Sequence, residues 1–230
     1  MDFLSSIKSR KKEEESACHR VPSAHPGLFT QLSPSSEVTS RHASTSVYTF
    51  GMAHYGRLGD DQQSEDKPSP ERLLCLDGSS VESVHIESAH VLILLKSGDV
   101  LSFGKCHFGQ LGLGYEWVDV FSPQHVPFQV RVSVLATGTH HSLAVSDQGQ
   151  AFAWGCGFNG CLGLGDEKMR SSPTLIDALS GHCCVSIAGG EYHSLVVVQQ
   201  EGSAAAAAAG ARGGQQQVVY SWGKGHQGQL

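Results

Sequence analysis

The stretch AFAWGCGFNGCLGLGD, residues 151–166, decides the fold of this chain. Apolar residues lead into an aromatic-glycine step at Trp154-Gly155, and four more glycines follow it closely. This pattern predicts a β-strand that ends in a tight turn, because glycine adopts turn conformations that other residues avoid. The stretch recurs as VYTFGMAHYGRLGDD from Val47, VLSFGKCHFGQLGLG from Val100 and VYSWGKGHQGQL from Val219. Four copies of one unit indicate a repeat protein.

The copies are regularly spaced. The glycines of the aromatic-glycine steps are Gly51, Gly104, Gly155 and Gly223, and they are separated by 53, 51 and 68 residues. The longest interval contains a low-complexity run of 16 residues, EGSAAAAAAGARGGQQ at 201–216, without which the interval is 52 residues. The sequence therefore predicts a unit of about fifty residues with an insertion at 201–216.

A histidine precedes three of the four steps at a fixed distance. His90 and His141 each lie 14 residues before the glycine of the next step, and His193 does so once the insertion is set aside. Each histidine opens a short apolar segment, which a polar, glycine-containing turn separates from the aromatic-glycine segment; the aromatic residues are tryptophans in the last two copies, Trp154 and Trp222. This pattern predicts a β-hairpin, with the insertion at the hairpin tip, where added length has a small entropic cost.

A proline-containing segment follows each of the first three glycine motifs, namely KPSPERLLCL, SPQHVPFQV and SSPTLIDAL. Proline suits the edge strand of a sheet, because it cannot donate a backbone hydrogen bond. We predict that one unit runs from an outer proline-flanked strand through a strand ending in alanine or glycine and the histidine-led strand to the aromatic-glycine strand. Four-stranded antiparallel sheets repeated in series predict an all-β fold, a β-propeller.

These residues resemble the repeat of the regulator of chromosome condensation family. The pattern A-x-G-x-x-H-S-L-A-V, a turn glycine and x-x-x-W-G-x-G-x-x-G-x-L-G-x-G is carried by 136–145, Gly149 and 152–165. A second copy is carried by 188–198 and 220–230, and the resemblance covers about four-fifths of the chain, residues 47–230. Members of this family form seven-bladed propellers, so the resemblance implies the same blade here.

The chain departs from the family pattern in two ways. Glu87 stands where the other copies have Gly138 and Gly190, three residues before the histidine, so we expect altered packing in that blade. The sequence also holds only about three and a half of the seven repeats, and the first strand, Val47–Gly51, has no histidine-led strand before it. Because an open arc would expose unpaired strand edges, we expect a fragment, a truncated product or a ring completed by a partner.

Composition limits the class of protein. The chain has 230 residues, 40% of them hydrophobic and 17% charged, which predicts a folded core. The net charge of −6 argues against direct nucleic-acid binding by the folded part. Residues 1–46 are rich in Ser, Pro and His and predict a disordered tail. The chain lacks a signal-peptide pattern and a long apolar run and has an odd number of cysteines, seven, so we predict an intracellular protein, cytoplasmic or nuclear, without membrane contact.

No catalytic, cofactor-binding or metal site is predicted. Two stretches satisfy G-x-G-x-x-G, at 155–160 and 223–228, but the helix that a phosphate loop requires does not follow either of them. Because His90, His141 and His193 occupy one repeat position, we interpret them as buried structural residues rather than catalytic bases. A zinc site among the cysteines and histidines of the second half is disfavoured, because none of these cysteines forms a C-x-x-C pair.

Two aromatic residues are candidates for contact with a partner. Tyr115 and Trp117 lie beside acidic residues in the loop after the second glycine motif, and aromatic anchors on loops favour protein interfaces, although loop packing would explain them equally well. We therefore predict a non-catalytic protein-interaction scaffold. One alternative that the resemblance implies is a guanine-nucleotide exchange factor for a small Ran-like GTPase on chromatin. A second is the repeat portion of a larger protein of the ubiquitin-ligase type.

Overall fold

The computed structural model of this chain describes residues 45–61, 65–200 and 216–230, which belong to one compact unit, 42–230. The predicted tail, 1–46, lies outside the described residues except for its last two positions. The predicted insertion, 201–216, also lies outside them except for Gln216. None of the helices within the described ranges is long and apolar enough to cross a membrane.

The described residues form thirteen β-strands and four short 3₁₀ turns. The strands are β1 (Tyr48–Gly51), β2 (Lys67–Arg72), β3 (Val81–Glu87), β4 (His90–Leu95), β5 (Val100–Gly104), β6 (Val120–His125), β7 (Val132–Thr137), β8 (His141–Ser146), β9 (Ala151–Gly155), β10 (Arg170–Leu175), β11 (Cys183–Gly189), β12 (His193–Gln200) and β13 (Gln216–Gly223). The 3₁₀ turns are His54–Gly56, Leu74–Leu76, Phe158–Gly160 and Asp177–Leu179.

The strands pair into four antiparallel sheets in chain order. The first sheet is β1-β2, the second β3-β4-β5-β6, the third β7-β8-β9-β10 and the fourth β11-β12-β13. The predicted hairpins are present, since β4 pairs with β5, β8 with β9 and β12 with β13. Among the described residues, β1 pairs with β2 alone.

The proline-containing strand closes each four-stranded sheet, and the prediction that it opens the sheet is wrong. The segment was expected to open each unit, but β6 and β10 pair with the preceding aromatic-glycine strands and form the outer edges of their sheets. The reason is that the chain reverses after the glycine turn and runs back along the strand it has just left. In β6, Pro123 falls where the register shifts between Ser102 and Gly104, so its missing N–H interrupts no regular ladder.

The glycine of the aromatic-glycine step faces the histidine across the hairpin. Gly155 pairs with His141 and has a φ of 102°, and a Cβ built there would lie 2.7 Å from the carbonyl oxygen of His140. The same carbonyl accepts a hydrogen bond from the backbone N–H of Cys156 at 2.8 Å. Only glycine allows this close approach, which explains the fixed spacing between histidine and glycine.

Apolar residues are buried between the faces of neighbouring sheets. Successive side chains of one strand pack alternately against the preceding sheet and the following sheet. Leu92 of β4 packs in a buried cluster with Ala144 and Trp154 of the third sheet. Ile93, the next residue, packs in another cluster with Leu73, which follows the first sheet. This period of two is expected for strands covered on both faces. The sheets therefore follow one another like the blades of a propeller.

Candidate functional site: interblade clasps and an aromatic loop face

A hydrogen-bonded cluster, which we call the first clasp, joins the second sheet to the third. The imidazole Nε2 of His90 lies 3.2 Å from the hydroxyl oxygen of Ser142. That hydroxyl donates to the backbone carbonyl of Gln110 at 2.8 Å, and the indole N–H of Trp154 donates to the same carbonyl at 2.9 Å. All three side chains that take part are fully buried. The clasp therefore fixes the glycine loop of one sheet against two strands of the next.

A second clasp repeats this arrangement one sheet further along. The Nε2 of His141 lies 2.9 Å from the hydroxyl oxygen of Ser194. Ser194 and Trp222 both donate to the carbonyl of Cys161, at 2.8 and 2.9 Å. The third repeat histidine, His193, is half-buried on the fourth sheet. These positions place the repeat histidines at joints between sheets.

The hydrogen bonds define the protonation of the clasp histidines. The single hydroxyl hydrogen of Ser142 is donated to Gln110, so the imidazole of His90 must donate through Nε2. Its Nδ1 is then the unprotonated nitrogen of the ring, and within the described part of the chain this atom lies outside regular hydrogen-bond geometry. Burial, with neighbouring imidazoles as a lesser cause, lowers the pKa of His90 to about 3 and that of His141 to about 4. Both imidazoles are therefore neutral near pH 7.

Gly138 gives a test of the second clasp. A Cβ at this position would lie 2.2 Å from Cε1 of His141 and 2.4 Å from the carbonyl oxygen of Gly190. We expect Gly138→Ala to displace the imidazole and to lower the free energy of unfolding by about 1–3 kcal/mol, measured by urea denaturation. Thr139→Ala, on the same turn, is the control and should change it by less than about 0.5 kcal/mol. Equal effects of the two substitutions would show that the contact with His141 is unimportant.

The cysteines that were considered as zinc ligands differ from one another in burial and in hydrogen bonding. The thiol of Cys161 donates to the carbonyl of Cys156 at 3.0 Å, and burial raises the pKa of Cys161 to about 12. Cys184 is buried, whereas its neighbour Cys183 is exposed. Within the described ranges no three His, Cys, Asp or Glu side chains are grouped to hold a metal ion.

The glycine loops of all four sheets lie at one end of the strands, which we call the glycine-loop face. Six aromatic side chains on this face form a continuous line of ring contacts, which we call the aromatic row. Successive ring centroids along it are 5.9, 5.6, 6.2, 5.1 and 6.3 Å apart. Its members, in spatial order, are Tyr55, His107, Trp117, Phe108, His140 and Tyr192.

An ammonium group lies over each end of the aromatic row. The Nζ of Lys105 is 4.9 Å from the ring centroid of Tyr55, and the Nζ of Lys224 is 5.5 Å from that of Tyr192. The guanidinium carbon of Arg57 lies 5.8 Å from the Tyr55 centroid. Cations at these distances are attracted to the faces of aromatic rings.

The two predicted contact residues, Trp117 and Tyr115, have different surroundings in the structure. Trp117 joins the aromatic row, is 51% exposed and stacks on His107 with an interplanar angle of 25°. Tyr115 is 41% exposed and contributes its backbone carbonyl, which accepts a hydrogen bond from the Cys106 thiol at 3.5 Å. No ring contact connects Tyr115 to the aromatic row among the described contacts.

The loop that carries Trp117 is held in a strained conformation. The backbone N–H of Trp117 donates to the carbonyl of Cys106 at 2.7 Å, and the N–H of Cys106 donates to the carboxylate of Asp119 at 3.1 Å. Trp117 and Tyr55 both have a φ of 64°, in the left-handed region that side chains of this size rarely adopt. Such conformations cost about 1–3 kcal/mol each and cluster at functional sites.

Comparison with known proteins identifies the repeat. Residues 97–145 and 148–197 each match the family described as "Regulator of chromosome condensation (RCC1) repeat". The chain therefore carries repeats of the RCC1 family. It is 36% identical to the ultraviolet-B receptor UVR8 of Arabidopsis thaliana, over 60% of this chain and 31% of that protein. It is 34% identical to the E3 ubiquitin-protein ligase HERC2 of Homo sapiens, over 65% of this chain and 3% of that protein.

A solved structure confirms the fold prediction. The structure of Prp20p from Saccharomyces cerevisiae superposes with a TM-score of 0.57 at 27% identity, over 64% of this chain and 38% of that one. The four-stranded sheets are therefore RCC1-type blades that make up part of a propeller. This chain spans less than half the length of each of the three relatives compared.

The contact between the first and second sheets differs from the two clasps that join the later sheets. Val91 and Phe103 stand where Ser142 and Trp154 complete the first clasp, so no hydroxyl or indole N–H is available to a carbonyl of the first sheet. Phe103 packs instead on Gly59, where a Cβ would lie 2.7 Å from its ring. The turn at Glu87 differs as well, because Ser88 has a φ of 55°. The altered packing expected from Glu87 is thus a changed turn.

Sequence reasoning missed most of the aromatic row. Its members come from the glycine motifs, from the loop around Trp117 and from the residues just before the repeat histidines, so they are distant in sequence. The signal in the sequence is that large rings occupy loop positions of the repeat, for example Tyr55 directly before Gly56 and Phe108 directly before Gly109.

Proposed function

We propose that this chain is a protein-interaction module without catalytic chemistry of its own, and that it binds its partner through the glycine-loop face. The observation that carries the proposal is the aromatic row, in which two of the six rings, those of Tyr55 and Trp117, are exposed and belong to residues with a strained backbone. The predicted contact residue Trp117 lies within it. Tyrosine and tryptophan are enriched among the residues that dominate binding energy at protein interfaces.

The scaffold beneath the face supports this function. The clasps fix the glycine loops carrying Gln110 and Cys161 to the next blade, so the loops keep their relative positions before a partner arrives. Rigid positioning lowers the entropy lost on association, since fewer side chains and loops must be ordered. Loops carried on a rigid framework are also a common place for binding residues.

A relative of similar fold binds proteins. Prp20p is described by its binding to Gsp1p and histones. This chain spans 38% of Prp20p, and the likeness supports a protein as the class of partner.

Substitution of Trp117 tests the proposal. We expect Trp117→Ala to reduce partner capture from cell extract about tenfold or more, because an aromatic anchor contributes about 2 kcal/mol or more at an interface. Val118→Ala is the matched control, since Val118 is the neighbouring residue, 55% exposed, and has no place in the aromatic row. Captured proteins are quantified by mass spectrometry, and both variants should unfold at the wild-type temperature. Equal capture by both variants would contradict the proposal.

The nucleotide-exchange alternative is separated by a direct assay. A Ran-like GTPase is loaded with a labelled guanine nucleotide, and nucleotide release is followed with this chain at catalytic amounts. Faster release would establish exchange activity and overturn the proposed lack of catalysis. An unchanged rate is expected.

A second candidate is the repeat portion of a larger ubiquitin-ligase-type protein. It is favoured by the 34% identity to HERC2, of which this chain covers 3%. The glycine-loop face would be the binding surface in that setting as well. The reading frame of the complete messenger RNA tests this candidate, because a catalytic ligase domain encoded in it would decide in its favour.

A further inference from the structure

We infer that the partner segment that lies on the aromatic row is an extended, acidic peptide whose carboxylates bind Lys105 and Lys224. This inference rests on the proposed function, because it assigns the chemistry of the partner to the same face. It follows from the two cations, from the spacing of the rings and from the other charges on the face.

The two lysines occupy one repeat position, directly after the glycine of the aromatic-glycine step. Their backbone N–H groups donate to equivalent carbonyls, Lys105 to Ala89 at 2.9 Å and Lys224 to Tyr192 at 2.8 Å. The described ion pairs of the molecule involve other residues, such as Lys67, Arg72 and Arg170, and neither of the two row lysines. Each ammonium group is held over a ring with its charge available to a carboxylate of a partner.

The rings follow one another at intervals slightly shorter than those between alternate side chains of an extended chain. Side chains on one side of a β-strand recur about every 6–7 Å, because the rise is about 3.3 Å per residue and alternate side chains point the same way. The steps of the aromatic row are 5.1 to 6.3 Å. An extended segment can therefore set alternate apolar side chains against successive rings while its acidic residues reach the lysines at the ends.

The remaining charges favour a peptide over a nucleic acid. Exposed Glu191 precedes Tyr192 at one end of the row, and half-buried Glu116 and Asp119 flank Trp117 and lie close to it in the chain. Asp119 is engaged with the Cys106 N–H and with His107. A nucleic acid presents closely spaced phosphates along its whole length, and these would meet the carboxylates. A peptide can place its carboxylates at the lysines alone.

Fluorescence anisotropy with the full chain tests the inference. The probe is the labelled peptide Asp-Glu-Leu-Ser-Phe-Ser-Leu-Glu-Asp, and its neutral counterpart carries Asn and Gln in place of Asp and Glu. We expect the acidic peptide to bind about tenfold or more tightly than the neutral peptide, and its affinity to fall as salt rises. The double variant Lys105→Gln/Lys224→Gln should lose about tenfold in affinity for the acidic peptide.

Two single substitutions act as matched controls. Lys96→Gln removes an exposed lysine from the hairpin turn at the opposite end of the second sheet and should leave the affinity unchanged. Glu191→Gln should strengthen binding of the acidic peptide, because it removes a repelling carboxylate near Lys224. Thermal unfolding of each variant checks that the fold is intact.

The remaining outcomes overturn the inference in distinguishable ways. Equal binding of the acidic and neutral peptides, or no binding of either, contradicts an acidic partner. Tighter binding of single-stranded oligothymidylate than of the acidic peptide, with the same dependence on Lys105 and Lys224, would identify a nucleic-acid surface instead. If the inference fails but Trp117→Ala still reduces partner capture, the proposed function stands with a partner of different chemistry. If Trp117→Ala captures normally, the proposed function fails too.

Discussion

Replacing Trp154 with alanine is expected to lower the free energy of unfolding by about 3–5 kcal/mol. The indole is fully buried between the second and third sheets, with its ring centroid 5.6 Å from that of Phe128. The substitution removes this packing and the hydrogen bond to the Gln110 carbonyl at 2.9 Å. A cavity at this joint would loosen the contact of one blade with the next. The measurement is urea denaturation followed by far-ultraviolet circular dichroism.

Trp154→Phe separates packing from hydrogen bonding. The chain itself has phenylalanine at this repeat position in the second sheet, Phe103, so the site type accepts the smaller ring. We expect this variant to lose about 1–2 kcal/mol, mainly from the lost indole hydrogen bond and the smaller ring. A loss below about 1 kcal/mol for Trp154→Ala would show that the joint between the two sheets is not packed as described.

Acid is expected to destabilise the protein well before its carboxylates are protonated. His90 and His141 are neutral in the folded state, with pKa values lowered to about 3 and about 4, whereas an unfolded histidine has a pKa of 6.5. Below pH 6.5 the unfolded chain therefore binds protons that the folded chain refuses, and the unfolding free energy falls as pH falls. Each histidine contributes a slope of up to about 1.4 kcal/mol per pH unit. The contribution of each ends near its folded pKa.

The measurement is the free energy of unfolding between pH 7 and pH 4.5, a range above most carboxylate pKa values. His85 and His140, whose pKa values are also lowered by burial, add to the slope. His90→Asn and His141→Asn should each be less stable than wild type at pH 7 and should show a flatter pH dependence. Proton uptake on unfolding of the wild-type protein is an independent readout. A constant stability between pH 6.5 and pH 4.5 would contradict buried, neutral clasp histidines.

Much of the blade could be predicted from sequence, because its constraints are local. The pairing of Gly155 with His141 follows from hairpin length, and the glycine is required by a positive φ and a close carbonyl. The position of the proline strand was assigned to the wrong side of the unit. Proline predicts an edge strand. In sequence, however, each proline segment stands after the strands of one sheet and before those of the next, and the sequence alone does not say which of the two sheets it joins.

The candidate site was much less predictable, because it is built from contacts between repeats. Ser142 follows a histidine in sequence, yet its imidazole partner is His90, in the preceding blade. Trp117 was predicted as a contact residue from its loop position, but the rings it joins become neighbours only when the blades stack. The repeat shows which positions are equivalent in successive blades. It does not show which of these residues contact one another across two blades.

Zero-length cross-linking of the captured complex tests most directly whether the glycine-loop face is the binding surface. A carbodiimide joins a lysine to a carboxylate only where the two are in contact, and mass spectrometry then identifies the joined residues. Partner peptides are expected on Lys105 or Lys224, and these links should disappear when Trp117→Ala is used. Partner peptides found instead on Lys96, or on the tail lysines Lys8, Lys11 and Lys12, would contradict binding through this face.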